Sequence, residues 1–382
     1  MKCLLYDWNS YFRQDLDELL QNENITIEKF SWKFKDYEND DEFLAWFDEN
    51  IEQGVFDFVI SVNYFPLISE ASRLKGYKYI AWCYDCPLNV VNPELTMGNS
   101  NNYIFVFDKE QFNDYYNQGI ETVYHLPLGV NSKRVRRTLN KGVKNPEYQC
   151  DVSLVGSLYE SQLPIITQRV PEDVKKVLNE IVRIQENLYD NYVIKQCITD
   201  GLILLINSCY EGMDFEVSSK ALEFSLASEV TRNNRLVLLN LFGRRYGTRL
   251  YSFQSFQKLE GVKQCGVVDY VNELPYVIAN SKINLNPVLR CIRSGIPLRA
   301  FDIMGYGGFL LSSYQAEIDS GFKDGEHLAM YKSYEEAVDK ADYYLKNDDI
   351  RNKIALKGQE IVLKEHTLED RFRNILKTGG IV

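Results

Sequence analysis

The sequence predicts two α/β lobes, each built on a parallel, doubly wound sheet. Three observations predict it. Short β-rich runs alternate with amphipathic helical stretches, the alternation starts afresh after a polar stretch near the middle, and 382 residues exceed what one hydrophobic core usually holds.

In the first lobe the candidate strands are Lys2–Tyr6, Ile25–Phe30, Phe56–Val62, Tyr77–Trp82, Tyr103–Phe107 and Thr122–Leu126. Their near-continuous apolar runs suit strands covered on both faces, as parallel strands are. Between them Phe43, Leu44, Phe47 and Ile51 recur at helical spacing. Asp108-Lys-Glu-Gln111 reads as a capping box and Gly119 as the stop of the short helix it opens. No Gly-x-Gly-x-x-Gly follows the first strand, so the common dinucleotide fingerprint is missing. Residues 131–149 are polar and basic and read as a linker or exposed crossover.

The second lobe opens with Asp151-Val-Ser-Leu-Val-Gly-Ser157, a buried strand ending in a small-residue turn. Residues from about 160 to 246 read as a helix-rich insertion, with Val174, Val177, Leu178, Ile181, Val182 and Leu188 on one helical stripe. Strands resume at Arg249–Phe253, Gly266–Val268, Lys282–Leu285, Phe309–Ser312 and His327–Tyr331, separated by helices at Tyr270–Ala279 and Leu298–Gly305. Ser333-Tyr-Glu-Glu336 and Thr367-Leu-Glu-Asp370 read as the caps of later helices.

Composition excludes several classes. A net charge of −11 argues against a broad nucleic-acid or anionic-membrane surface. No apolar run is long enough to span a membrane, and an acid at Asp7 comes too early for a signal peptide, so the expected address is cytoplasmic. The 8 cysteines are scattered and form no disulfide framework; the one close pair, Cys83 and Cys86, has no second pair or nearby histidine to complete a metal site.

The chemistry concentrates in Pro287–Phe309. Arg290, Arg293 and Arg299 crowd a short stretch of an acidic protein, and Gly295 and Pro297 break the chain just before a helix begins. Free N–H groups at a helix start, joined by arginines, suit a pyrophosphate. Asp302 lies three residues after Arg299, on the same helix face, where a carboxylate accepts hydrogen bonds from a ribose diol. The competing reading is an intrahelical surface ion pair. Gly307 and Gly308 allow tight turning and close approach of backbone to a ligand.

The stretch Tyr270-Val-Asn-Glu-Leu-Pro275, then Ser281-Lys-Ile-Asn-Leu-Asn286 and Leu298-Arg-Ala-Phe-Asp-Ile-Met-Gly-Tyr-Gly-Gly-Phe-Leu-Leu311, resembles the donor domain of group-1-like GT-B glycosyltransferases. It is most similar to the branch that includes the spore-maturation-protein-like glycosyltransferases. Gly321–His327 and Glu365–Arg371 continue the likeness; Tyr79–Pro87 and Leu126–Asn131 match more loosely. The resemblance implies two Rossmann-like domains facing a central cleft, with the last helix crossing back to the first. The expected domains are 1–145 with a C-terminal helix at 366–382, holding the acceptor, and 146–365, holding the donor. On that analogy Asp302 meets the ribose, Arg299 the diphosphate, Gly156 and Ser157 form the loop opposite it, Asn286 ends the strand beside the nucleotide, and Tyr270 borders the base. Retaining members often carry a glutamate eight positions before the ribose-binding acid; here that position is Ser294.

The implied activity is transfer of a sugar from a nucleotide-diphosphate donor, UDP-linked by preference, to a protein, a glycan or a small molecule. No cofactor or metal is expected, since arginines and helix-end N–H groups can stabilise a leaving diphosphate. For acid–base work the candidates are Asp85, at the carboxyl end of the strand Tyr77–Trp82 among Trp82, Tyr84 and Pro87, and His125, ending another strand. A loop-capping aspartate and a hydrogen-bonded structural histidine are the plainer alternatives. At the level of function, the alternatives are a sugar-nucleotide epimerase or hydrolase of the same shape, and a non-catalytic scaffold that binds nucleotide sugars.

Overall fold

The computed structural model describes residues 1–88, 90–255 and 259–381. The chain divides into two compact units. One comprises Met1–Arg134, Ser294–Leu298 and Leu363–Val382; the other comprises Val135–Arg293 and Arg299–Val362.

The first unit holds strands β1 (Lys2–Tyr6), β2 (Thr26–Phe30), β3 (Phe58–Val62), β4 (Lys78–Trp82), β5 (Asn102–Val106) and β6 (Val123–His125), each within two residues of its expected bounds. All neighbours are parallel, in the order β2-β1-β3-β4-β5-β6. The direction of winding therefore reverses between β1 and β3, and the loops leaving those strands part there. Alternate residues serve opposite faces. Leu4, Val59, Tyr79 and Ile104 pack on one side; Leu5, Ile60, Ile80 and Phe105 pack on the other. The second face is closed by the last helix, Leu368–Thr378, whose Phe372 stacks on Trp82 at 6.1 Å between ring centroids. The expected return of the chain's end to the first lobe is thus observed; Val382, the far end of the expected 366–382 helix, lies outside the described residues. That helix is seated at Val130, whose N donates to His366 O and whose O accepts from Leu368 N, each at 2.9 Å.

The second unit holds β7 (Cys150–Val155), β8 (Thr248–Tyr251), β9 (Val262–Gln264), β10 (Ser281–Asn286), β11 (Leu310–Ser313) and β12 (Ala329–Tyr331). Their order is β12-β11-β10-β7-β8-β9, again parallel throughout, with the reversal between β7 and β10. Between β7 and β8 lies the expected helical block, which ends in the long helix Ser219–Gly243 and carries a core of its own around Leu178, Ile181, Leu222 and Leu226.

Three local expectations need correction. Residues 131–149 are not simply a linker: Ser132–Lys141 is a helix. Asn131 caps it by accepting from Arg134 N (2.8 Å), Val135 is fully buried, and the Arg134 guanidinium meets the buried Asp15 carboxylate at 3.1 Å. With so few apolar residues, no helical stripe was there to read. Gly266–Val268 is not a strand, because Gly266 adopts φ +76° and ends the extended run after β9. The helix expected from Tyr270 begins only at Leu274, since the Asp269 carboxylate first closes a turn by accepting from Val271 N and Asn272 N.

Candidate functional site

Parallel sheets leave a crevice outside the carboxyl ends of the strands where winding reverses, and ligands bind there. Each unit has one such place.

In the second unit the loops after β7 and β10 border it. Gly156 and Ser157 follow β7, and Asn286 ends β10 with its amide donating to Ser312 Oγ at 3.1 Å. The two loops are tied together by Arg235, a residue of the helix Ser219–Gly243. Its Nε and Nη2 donate to Pro287 O at 3.2 and 2.7 Å, and its Nη1 donates to Ser157 O. Burial lowers the guanidinium's pKa, and among the described residues no carboxylate pairs with it; the ring of Tyr159 lies 4.8 Å away. Arg235 lies among the apolar positions Leu226, Val230, Leu238 and Phe242 of that helix. An arginine on an apolar stripe is its sequence signal, hidden within the expected helical insertion.

Beyond β10 the chain reaches Arg290, whose side chain is 9% exposed. Its Nε and Nη2 are buried with no hydrogen-bond partner among the described residues, and Tyr189 lies beneath the guanidinium at 4.0 Å. Desolvation lowers its pKa. Burying an unpaired cation costs several kcal/mol, and a desolvated cation–π contact returns about 2 kcal/mol. Arg290, Arg293, Tyr192 and Gln315 line a small cavity of about 40 Å³.

The helix Leu298–Gly305 carries Asp302, whose side chain is 1% exposed. Tyr270 Oη donates to Oδ1 at 2.9 Å and Arg299 Nη1 approaches Oδ2 at 3.4 Å. The Arg299–Asp302 pair therefore exists, but it is not a surface pair. Tyr270 is 32 positions earlier in the chain, and the fold brings it to the carboxylate.

Two predicted donor residues lie elsewhere. Gly307 and Gly308 make the turn at the amino end of β11, the opposite edge of the sheet from Gly156 and Asn286. Gly307 has φ +76°, and a Cβ on Gly308 would meet Ile278 Cγ2 at 2.6 Å and Asn284 Nδ2 at 2.7 Å. Turn geometry at Gly307 and packing at Gly308 account for the glycines. Gly295 is similar: a Cβ there would stand 2.9 Å from Asp108 Cα and from the Phe107 ring. The Asp108 carboxylate accepts from Ser294 N (2.8 Å), Gly295 N (2.9 Å) and Gln111 N (2.7 Å), and Ser294 Oγ accepts from Glu110 N at 3.3 Å. Within the first unit, segment 294–298 is thus clamped to the start of the helix Lys109–Asn117.

The first unit's reversal point, between β1 and β3, opens into a cavity of about 240 Å³. Tyr6 and Trp8 reach it from the end of β1, Asn63 to Pro66 from the end of β3, and Asp85 from beyond β4. Asn63 has φ +64° and organises the acid: its Nδ2 donates to Asp85 Oδ2 at 2.6 Å, while its Oδ1 accepts from Tyr84 N (2.8 Å) and Asp85 N (3.1 Å). Burial raises the Asp85 pKa, and the Asn63 bond only partly opposes it. His125 does not line this cavity; its Nε2 lies 3.3 Å from Phe107 O. Neither Cys83 nor Cys86 forms a disulfide among the described residues, and burial followed by the Asp85 charge pushes the Cys83 thiol well above its usual range. Among the described residues no group of acids, histidines and cysteines suits a metal ion, and no helix is long and apolar enough to cross a membrane.

Residues 226–377 match a family model described as glycosyl transferase-like. No curated protein sequence matches the chain. Solved structures resemble it over their whole length. T4 phage BGT, in complex with its UDP-glucose substrate, is 11% identical with a TM-score of 0.53, covering 99% of both chains. Sucrose-phosphate synthase from Thermosynechococcus elongatus is 11% identical with a TM-score of 0.52, covering 100% of this chain and 98% of its own. Anabaena HepE, in complex with UDP and glucose, is 10% identical with a TM-score of 0.52, covering 100% of both. The fold is that of the GT-B glycosyltransferases, and the matched segment is a glycosyl transferase-like domain.

Arg235→Ala strands two buried carbonyls, at about 1–3 kcal/mol each. The expected result in urea unfolding is a loss of roughly 2–5 kcal/mol, with Arg235→Lys, which cannot reach both loops through one planar fork, recovering less than half.

Proposed function

We propose that this GT-B glycosyltransferase takes a UDP-linked sugar on its second unit and transfers the sugar, with inversion and without a metal, to an acceptor hydroxyl held by its first unit. The observation that carries the reading is the Asp302 carboxylate, buried between Tyr270 and Arg299 inside the segment that matches the transferase family. A carboxylate accepts from both hydroxyls of a ribose diol, and Tyr270 holds it in place for that. The 3.4 Å approach of Arg299 is long beside the roughly 2.7–2.9 Å of a charge-assisted bond, so its guanidinium is free to turn to a phosphate. Arg290 and Arg293 supply more positive charge beyond β10, and a diphosphate relieves the uncompensated cation at Arg290. Gly156 and Ser157 stand across the reversal point, held in register by Arg235. UDP is the favoured carrier because solved neighbours of this fold hold UDP or UDP-glucose.

In the transfer the acceptor oxygen attacks the anomeric carbon, and the bond from that carbon to the diphosphate breaks. The nucleoside diphosphate leaves with the electron pair, stabilised by the arginines rather than by a divalent cation. Asp85 takes the acceptor's proton. Desolvation makes it a stronger base than an ordinary carboxylate, and Asn63 fixes its orientation. A base on the acceptor side suits single displacement, as does Ser294 where retaining relatives often carry a glutamate.

Two experiments test this. In EDTA, UDP-glucose is expected to raise the melting temperature of the wild-type protein, because a ligand bound only to the folded state stabilises it by mass action. Asp302→Asn should weaken donor binding roughly 10- to 100-fold, the worth of hydrogen bonds to a charged group. No shift with any nucleotide sugar refutes the donor seat. For the base, Asp85→Asn should lower kcat by about 10²–10⁴. Because the folded-state pKa of Asp85 lies above its unfolded value, the folded state binds that proton more tightly, and Asp85 costs stability as pH rises through the raised pKa. At neutral pH Asp85→Asn should therefore match or exceed the wild-type melting temperature, while the acid limb of the wild-type kcat profile lies above the ordinary carboxylate range and is absent from the variant.

A further inference from the structure

The cavity at the β1/β3 reversal carries information about what it accepts. Its walls are aromatic: Tyr6, Trp8, Tyr37, Tyr64 and Phe65 line it. Two of their polar tips are committed, and Tyr64 Oη is buried with no hydrogen-bond partner among the described residues. Tyr6 Oη donates to Trp32 O at 2.8 Å and Trp8 Nε1 donates to Val62 O at 2.9 Å, so toward the cavity these side chains offer rings. Asn63 is committed as well, with both ends of its amide used on Asp85 and its neighbours. Asp85 differs. Oδ2 takes the Asn63 bond, and among the described residues nothing donates to Oδ1. No lysine, arginine or histidine among the described residues lines the cavity, so its one full charge is negative and has no counter-ion.

From this we infer that the acceptor end entering the first unit is a small, uncharged, flat ring bearing a single hydroxyl, of the phenol or aryl-alcohol class, with that hydroxyl donating to Asp85 Oδ1. The inference rests on the transferase reading above and names its acceptor class. Size agrees: 240 Å³ falls below the roughly 300–1,000 Å³ of pockets for drug-sized ligands, leaving room for one ring and a short substituent. Chemistry agrees as well. A flat ring gains offset and edge contacts with the aromatic walls. A sugar ring would bring several hydroxyls to a site with one uncommitted acceptor of full charge, and a hydroxyl buried without a partner costs more than it gains. An anionic acceptor would set a second negative charge beside Asp85 in a desolvated space.

Calorimetric titration of the intact wild-type protein with 4-ethylphenol, 4-hydroxyphenylacetate and methyl glucoside separates these cases. The expected order is saturable binding of 4-ethylphenol, binding of the anionic 4-hydroxyphenylacetate weaker by about tenfold or more, and weaker binding still of methyl glucoside. In Asp85→Asn, checked for folding by its melting temperature, the gap between the neutral and anionic phenols should close, which a merely structural aspartate would not produce. Equal or tighter binding of the anionic phenol, or tighter binding of methyl glucoside than of 4-ethylphenol, overturns the inference. A UDP-glucose thermal shift on the same preparation keeps the two readings apart. If UDP-glucose binds and 4-ethylphenol does not, the acceptor class falls and the donor seat stands; if 4-ethylphenol binds and no nucleotide sugar does, the ring pocket stands and the transferase reading falls.

Discussion

A single buried guanidinium holds the reversal point of the second unit in register. Where β7 and β10 lie side by side, their outgoing loops run to opposite faces of the sheet, and nothing in the strand ladder joins them. Arg235 does so by donating to Ser157 O on one side and Pro287 O on the other. Its own desolvation is offset by those carbonyls and, among the described residues, not by a counter-ion. Arg290 repeats the pattern with a tyrosine ring in place of the carbonyls. Two buried cations with no carboxylate partner among the described residues are costly, unless the site exists to take an anion.

The first unit solves its reversal point with opposite chemistry. There an asparagine with positive φ follows β3 and turns its amide onto Asp85, and aromatic rings form most of the wall. One unit thus offers buried positive charge and the other an isolated, desolvated negative one. A group-transfer enzyme needs that division: stabilisation for a leaving diphosphate on one substrate, and a proton acceptor for the attacking hydroxyl on the other.

Most of the fold was legible in the sequence because parallel strands are continuous apolar runs and their helices carry clear stripes. The helix Ser132–Lys141 was not, since its buried contacts are Val135 and an arginine paired with Asp15, and neither makes a periodic pattern. The site was legible only in part. Arg299 and Asp302 are three residues apart, so helical geometry alone puts them on one face. Tyr270, far from both in sequence, was reached through the resemblance, and the hydrogen bond it makes appeared only with the fold. Arg235 and Asn63 were missed, although an arginine on an apolar stripe and an asparagine closing a buried strand were both visible. The glycines show the other limit: composition reveals that a backbone needs freedom or space, but not for what. Gly295 and Gly308 serve packing against Asp108, Ile278 and Asn284, Gly307 takes a positive φ in a turn, and the last two lie at the far edge of the sheet from the site.

The account stands on the ribose being held by Asp302. A crystal structure of the protein soaked with UDP measures this directly. The prediction is a ribose diol within hydrogen-bond distance of the Asp302 carboxylate, with Tyr270 still donating to Oδ1 and the diphosphate against Arg299 and Arg290. UDP bound away from the loops after β7 and β10, or with its ribose turned from Asp302, would contradict it.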